Sequence, residues 1–241
     1  MSPKRWSLLF ILLFTFQIFL PCEGLAAKLG DVVNALEQGY SILNDVRADF
    51  SQQTEIASMG RKERGAGELF LKKGKGNQAM FRFNYSKPKQ QFISNGKKLW
   101  YYMPENSQVI VSDVASLFEN GNSVALNYLT GMGHVSKDFN IRFAGDGHDK
   151  KGNYLLELIP KNPTQAMAKL HLAIKSQAVD SFVKEGQAAN PFPIAYSVLF
   201  DSLGNRTTIE FSNVKVNKGI AGDIFNFKIP KGVEVVNQGR K

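Results

Sequence analysis

The sequence predicts a mainly β chain, folded as a barrel or a strongly curved sheet with one amphipathic helix laid on it. Three observations carry this. Short runs of alternating apolar and polar residues follow one another from Leu69 to Ile229, separated by turn residues. One long apolar stripe at three- and four-residue steps precedes them. The composition is 43% hydrophobic, and 18 of the 241 residues are Phe, so there is apolar side chain for a sizeable core. No repeat, low-complexity tract or long linker divides the chain, which predicts one domain.

The first element is an address. Lys4 and Arg5 give a positive end, Ser7 to Leu20 is an uncharged apolar run, and small residues follow at Gly24, Ala26 and Ala27. This is the pattern of a secretory signal over 1–27, with cleavage after Ala26 or Ala27. Uncut, the run would be a membrane anchor, although it falls short of the ~20 apolar residues that a span needs. Cys22 is the only cysteine. A lipidated cysteine requires a small residue before it, and Pro21 stands there. Cleavage after Ala26 leaves a cysteine-free chain, which suits an oxidising compartment because nothing can mispair.

The helix comes next. Leu29, Val32, Val33, Leu36, Tyr40, Leu43, Val46 and Phe50 share one stripe, with Asp31, Asn34, Glu37, Asn44 and Asp45 largely elsewhere. Strands follow. Leu69 and Leu71 alternate with Glu68, Phe70 and Lys72; Phe81, Phe83 and Tyr85 alternate with Met80, Arg82 and Asn84. Gln90 to Ser94 meets Lys97 to Met103 across Asn95-Gly96, a strong hairpin signal because both residues tolerate positive φ. Further strand-like runs are Val109–Ser112, His134–Phe143, Tyr154–Ile159, Leu170–Lys175, Ser181–Lys184, Ile194–Phe200, Thr207–Val216 and Ile224–Ile229. Val114 to Met132 breaks the pattern and reads as short helices or a loop with helical turns.

Chemistry is scarce. There is no HExxH, no phosphate-binding loop and no GxSxG elbow; Gly121-Asn-Ser-Val-Ala125 lacks the second Gly. One Cys and three scattered His argue against a Cys/His zinc site. Asp146-Gly-His148-Asp149 lacks the ligand run and closing Glu of a calcium loop, and reads as a surface turn. These patterns predict no metal and no cofactor; they select no catalytic group and leave open a pair of carboxylates that the fold brings together. The formal net charge is +9. Lys72, Lys73 and Lys75, Lys87 and Lys89, and Lys97 and Lys98 cluster near aromatics. Behind an export signal they read as a face for acidic partners or anionic headgroups, with no nucleic acid.

The aromatic stock is the distinctive feature. Phe81, Phe83 and Tyr85 share a face, and Trp100 and Tyr102 share a face two strands on. Two outcomes are open: a packed core with a helix on top, or a greasy pocket with a lid.

Five motifs in order resemble the LolA family, periplasmic carriers of outer-membrane lipoproteins. They are Phe50-Ser-Gln52, Gly65-Ala-Gly67-Glu-Leu69, Phe81-Arg-Phe83-Asn-Tyr85 with Pro88, Asn95-Gly96-Lys97-Lys-Leu99-Trp100-Tyr-Tyr102-Met-Pro104, and Phe225-Asn-Phe227-Lys-Ile-Pro230-Lys-Gly232-Val-Glu-Val235. The resemblance spans nearly all of 28–241. It implies an open, incomplete antiparallel β-barrel of about eleven strands covered by a helical lid. It also implies a monomeric chaperone, with no covalent chemistry. Such a carrier takes acylated lipoproteins from an inner-membrane ABC transporter, shields their chains, and delivers them to the outer-membrane receptor LolB or an equivalent. By this likeness Leu69, Leu71, Phe81, Phe83, Tyr85, Trp100 and Tyr102 line an acyl-chain cavity, and Leu36, Tyr40, Leu43 and Val46 form the inner face of the lid helix. Where the family often has a latching Arg, Lys73 stands here, without the forked guanidinium. The alternatives are a LolB-like receptor acylated at Cys22, a sensor built on the same barrel, and a lipid-acting enzyme. The length leaves no room for a sensor's second domain, and the missing nucleophile elbow opposes the enzyme.

Overall fold

The computed structural model describes residues 27–74, 79–114 and 135–238. Residues 1–26, 75–78, 115–134 and 239–241 lie outside these, and with them the helical reading of Val114 to Met132. In chain order the elements are α1 (Leu29–Ser41), β1 (Asp45–Ile56), β2 (Arg61–Lys73), β3 (Ala79–Lys87), β4 (Gln90–Ser94), β5 (Lys98–Met103) and β6 (Gln108–Asp113). Then come α2 (Val135–Asp138), β7 (Phe139–His148), β8 (Tyr154–Pro160), β9 (Lys169–Ile174), α3 (Ser176–Glu185), β10 (Ile194–Phe200), β11 (Arg206–Val216) and β12 (Glu234–Gln238).

The strands form one twelve-stranded sheet in the order β12-β6-β5-β4-β3-β2-β1-β11-β10-β9-β8-β7. β7 and β12 stand at opposite edges, so the barrel is open. Every pairing is antiparallel except that of β12 with β6, which is parallel. Among the described residues the strands number twelve, in line with the open barrel of about eleven strands that the resemblance implies.

Turn chemistry fixes the register. Asn95 Oδ1 accepts from the N–H of Lys97 and Lys98, and Gly96 takes φ 85, so the hairpin forms where Asn-Gly predicted it. Asp149 and Asp201 open two turns of the same D-x-x-G-N sequence. Each carboxylate accepts from the N–H groups two and four residues on. The Asp149 carboxylate is therefore engaged inside its own turn.

Four expectations are corrected. The helix ends at Ser41, and Val46 and Phe50 belong to β1. Val46, Ala48 and Phe50 also fit a period of two, and pairing with β2 on one side and β11 on the other decides the matter. Asp45 marks the break. Its carboxylate accepts from the N–H of Lys218 at 2.8 Å and Gly219 at 2.9 Å. Ser181–Lys184 lies in α3, where Ala178, Val179 and Phe182 bury one helical face. Ile224–Ile229 is no strand: a 3-10 turn, Gly222–Phe225, precedes extended chain, and Phe225 is fully buried. Likewise Val135–Asp138 of the His134–Phe143 run form α2, ahead of β7.

One apolar cluster joins the inward residues of β1, β2 and β3 to those of β8, β9 and β10, with α1 and α3 laid over them. The sheet thus has one helix-covered face.

Candidate functional site

The helix-covered face is built from alternate strand positions. Val46, Ala48 and Phe50 on β1 pair beside Leu71, Leu69 and Gly67 on β2, which pair in turn with Phe81, Phe83 and Tyr85 on β3. A near-continuous series of rings crosses it. Phe192 meets Phe211 at 5.4 Å between centroids, and Phe211 is the β11 partner of Phe50. Phe50 meets Phe83 at 5.6 Å and Tyr85 at 4.8 Å. Tyr85 meets Phe92 at 5.9 Å, and Phe92 stacks on Tyr101 at 4.3 Å. Such contacts add ~0.5–1.5 kcal/mol each beyond area burial.

The motifs have physical roles here. Gln52 Oε1 accepts from the Tyr85 hydroxyl at 2.7 Å, which explains a glutamine two residues after Phe50. Burial pushes the Tyr85 phenol up to about 12, with a further push from Tyr101. The Tyr85 ring lies over Gly65, where an added Cβ would sit 3.0 Å from it. At Gly67 a Cβ would fall 1.9 Å from the Asn84 carbonyl oxygen, at an irregularity in the β2–β3 register. Beyond Phe50 the inward positions turn polar, with Thr54 Oγ1 at 3.1 Å from Thr207 Oγ1.

α1 roofs this face with Leu36 and Tyr40, and Leu43 follows just past its end; all three are buried. Burial raises the Tyr40 phenol above its ordinary value, and its ring faces Phe192 at 6.4 Å. Gly39 lets the helix approach the chain at Asn190, whose carbonyl oxygen would lie 2.5 Å from a Cβ. The roof is tied at few points. Glu37 Oε1 accepts from the Ser136 N–H and hydroxyl at 2.9 and 2.7 Å. At the C-terminus the last turn carries no basic residue of its own. Lys73 of β2 supplies one: its Nζ donates to the Tyr40 carbonyl at 2.5 Å and the Ser41 carbonyl at 3.2 Å. Asn217 Nδ2 donates to the Ile42 carbonyl at 3.0 Å.

The residues expected at the cavity therefore divide. Leu69, Leu71, Phe81, Phe83 and Tyr85 share the covered face with Leu36, Tyr40, Leu43 and Val46, the last from a strand rather than a helix. Trp100 and Tyr102 do not. Phe83 pairs with Phe92, and Phe92 with Tyr101, so the residues beside Tyr101 point to the other face. There Trp100 packs with Ile93 and Val109, and Tyr102 meets Phe227 at 5.1 Å. Leu99 and Phe92 take the inward places. Sequence reasoning missed Phe92, Phe192 and Phe211, and also Asp45 and Asn217, whose only local signal is the turn sequence Asn217-Lys-Gly219. Among the described residues no group of three or more His, Cys, Asp or Glu is placed to hold a metal ion.

The family described as outer membrane lipoprotein carrier protein LolA matches residues 41–187. An outer-membrane lipoprotein carrier protein of Xanthomonas campestris pv. campestris (strain B100) is 30% identical over 199 residues, 82% of this chain and 84% of its own length. The protein of that name from Pseudomonas aeruginosa (strain UCBPP-PA14) is 26% identical over 229 residues, 92% of this chain and 97% of its own. Among solved structures, an uncharacterized conserved protein from Thermus thermophilus is similar with a TM-score of 0.49 and 14% identity, covering 87% of this chain and 98% of that one.

Proposed function

The chain belongs to the LolA family of outer-membrane lipoprotein carrier proteins, and on that premise we propose that it ferries acylated lipoproteins across the periplasm with their acyl chains against the α1-covered face. Carriers of this family are chaperones rather than enzymes. The physical demand is plain. Each CH₂ of a lipid chain left in water costs ~0.8 kcal/mol, so a bare lipoprotein stays in its membrane. A carrier has to hide the chains and then let them go.

The observation that carries the reading is the roof. α1 lies on the aromatic face of β1–β3, and its C-terminal carbonyls are held by one lysine at the end of β2 and one asparagine just past β11. Displacing α1 takes Tyr40 from Phe192 and Leu36 from the buried cluster, and opens the apolar face to acyl chains. Few ties keep the closed and open states within a few kcal/mol, which lets cargo shift the balance and a partner reverse it. In this reading an inner-membrane ABC transporter loads the carrier, an outer-membrane receptor unloads it, and the carrier works as a monomer.

The test is lipoprotein release from spheroplasts. Phe83→Glu places a charge among the rings, and its folding is checked by circular dichroism. The folded variant is expected to release no lipoprotein, while the parent does. Undiminished release by Phe83→Glu would remove the covered face from the mechanism.

A further inference from the structure

Two hairpin tips stand side by side at one end of the sheet. The β1–β2 connection is a 3-10 turn, Ala57–Met59, closed by Gly60 in the left-handed region. The β10–β11 connection is the D-x-x-G-N turn of Asp201 to Asn205. They are joined: the Ala57 N–H donates to Asn205 Oδ1 at 3.0 Å. Each tip carries one apolar side chain into solvent. Met59 is 70% exposed and Leu203 67%, the two most exposed large hydrophobic residues among those described. Both are carried on turns stiffened by their own hydrogen bonds.

Beneath the tips, on the sheet face away from the helices, lies a groove of about 620 Å³. Arg64, Lys87 and Arg206 line it, with Ser51, Gln53 and Glu210. The nearby carboxylates are largely spoken for: Glu55 pairs with Lys62, Glu63 with Arg61, and Asp201 with its own turn. No salt bridge among the described residues holds Arg64, Lys87 or Arg206. Among the described residues Glu210 is the one carboxylate lining the groove, and Glu55, paired with Lys62, stands across from Arg206 on the neighbouring strand.

We infer that this end docks on a bilayer surface bearing anionic lipid, with Met59 and Leu203 entering the headgroup region and Arg64, Lys87 and Arg206 facing phosphate. The occupant follows from the pairing of features. Isolated protruding apolar side chains ringed by base-rich polar surface suit an interface that is apolar below and anionic above. An acidic protein would engage the groove but has no use for two bare apolar tips. The docking does not rest on the carrier reading, since it concerns the opposite face and a different measurement.

The experiment is vesicle flotation with the chain from Ala27 onward, which contains every described element. Vesicles of phosphatidylethanolamine with phosphatidylglycerol are compared with phosphatidylcholine alone. Binding is expected only to the anionic vesicles, and weaker at high salt. The double variant Met59→Ser/Leu203→Ser is expected to bind about tenfold less. Arg64→Gln and Arg206→Gln are each expected to lower binding about fivefold, the worth of one basic residue at such a surface. Because all four side chains lie at the surface or the groove rim, thermal melts should stay with the parent and exclude misfolding. Absence of binding to anionic vesicles, equal binding to phosphatidylcholine, or undiminished binding by the double tip variant would each overturn the inference. So would retention by an acidic polypeptide such as polyglutamate without flotation. Spheroplast release, measured separately, reports on the carrier reading alone.

Discussion

Lys73 Nζ sits 2.5 Å from the carbonyl oxygen of Tyr40, so a strand residue caps the C-terminus of the helix that covers the apolar face. The ammonium meets two carbonyls of the last helical turn, the first of which also accepts from the Leu43 N–H at 3.3 Å, and it lies at the negative end of the helix dipole. Its surroundings are partly desolvated, which lowers the Lys73 pKa.

Lys73→Met is expected to keep the aliphatic stem and lose the cap. Because Lys73 is only partly buried, the cost is about 1 kcal/mol. The loss should appear locally: amide hydrogen exchange should quicken in the last two turns of α1 and stay unchanged in β8 and β9. Lys73→Arg should restore protection, because a guanidinium can serve both carbonyls at once. Uniform acceleration across the sheet would mean that Lys73 supports the whole fold rather than the roof.

Glu157 gives the pH dependence. It is 7% exposed on the face away from the helices. Hydrogen bonds from His171, Lys169 and Arg142 hold its pKa down at about 2, against the opposing effect of burial. An unfolded Glu titrates near ~4.3, so as pH falls the unfolded chain takes its proton first. The stability Glu157 contributes is therefore complete above about pH 4.5 and fades as pH drops toward 2. Glu157→Gln is expected to lose about 2 kcal/mol at pH 7 in urea unfolding, with the gap to the parent closing near pH 2. A gap that does not change with pH would assign the effect to packing.

The strands and hairpins were legible because turn chemistry is local: Asn95-Gly96 and Lys151-Gly152-Asn153 act within a few residues of themselves. What failed was not local. Val46 fits both a helical and an extended period, and only its flanking strands choose between them. Alternation alone does not say which face Trp100 and Tyr102 take, because facing depends on register across two hairpins, where a slip of one residue inverts every side chain. Asp45 and Asn217 act across 172 positions of sequence, and no spacing rule reaches that far. Lys73 is visible only through family likeness. Its contact with α1 depends on where β2 ends, which composition does not encode.

The division of aromatics between two faces separates stability from cargo binding. Tyr102→Ala removes a ring that packs on Phe227, opposite the covered face. It is expected to cost about 2 kcal/mol, less than a fully buried aromatic because Tyr102 is only half-buried. Lipoprotein release by the folded protein should be unchanged, in contrast to Phe83→Glu. Loss of release at full foldedness would bring the second face into the cargo site.

Two glycines make a sharp control for the β2–β3 irregularity. Gly67 has no room: a Cβ would meet the Asn84 carbonyl oxygen at 1.9 Å and its carbon at 2.8 Å, both backbone atoms that cannot swing aside. Gly67→Ala must push β3 away and disturb Tyr85 and the Gln52 contact with it, at an expected cost of more than about 2 kcal/mol. Gly30, in the first turn of α1, has nothing within 4 Å of a Cβ and an ordinary helical backbone. Gly30→Ala is expected to stabilise by about 0.5 kcal/mol through lower entropy of the unfolded chain. The two melts should move in opposite directions. If Gly67→Ala melts with the parent, the close approach of β2 to β3 is not what requires glycine in this motif.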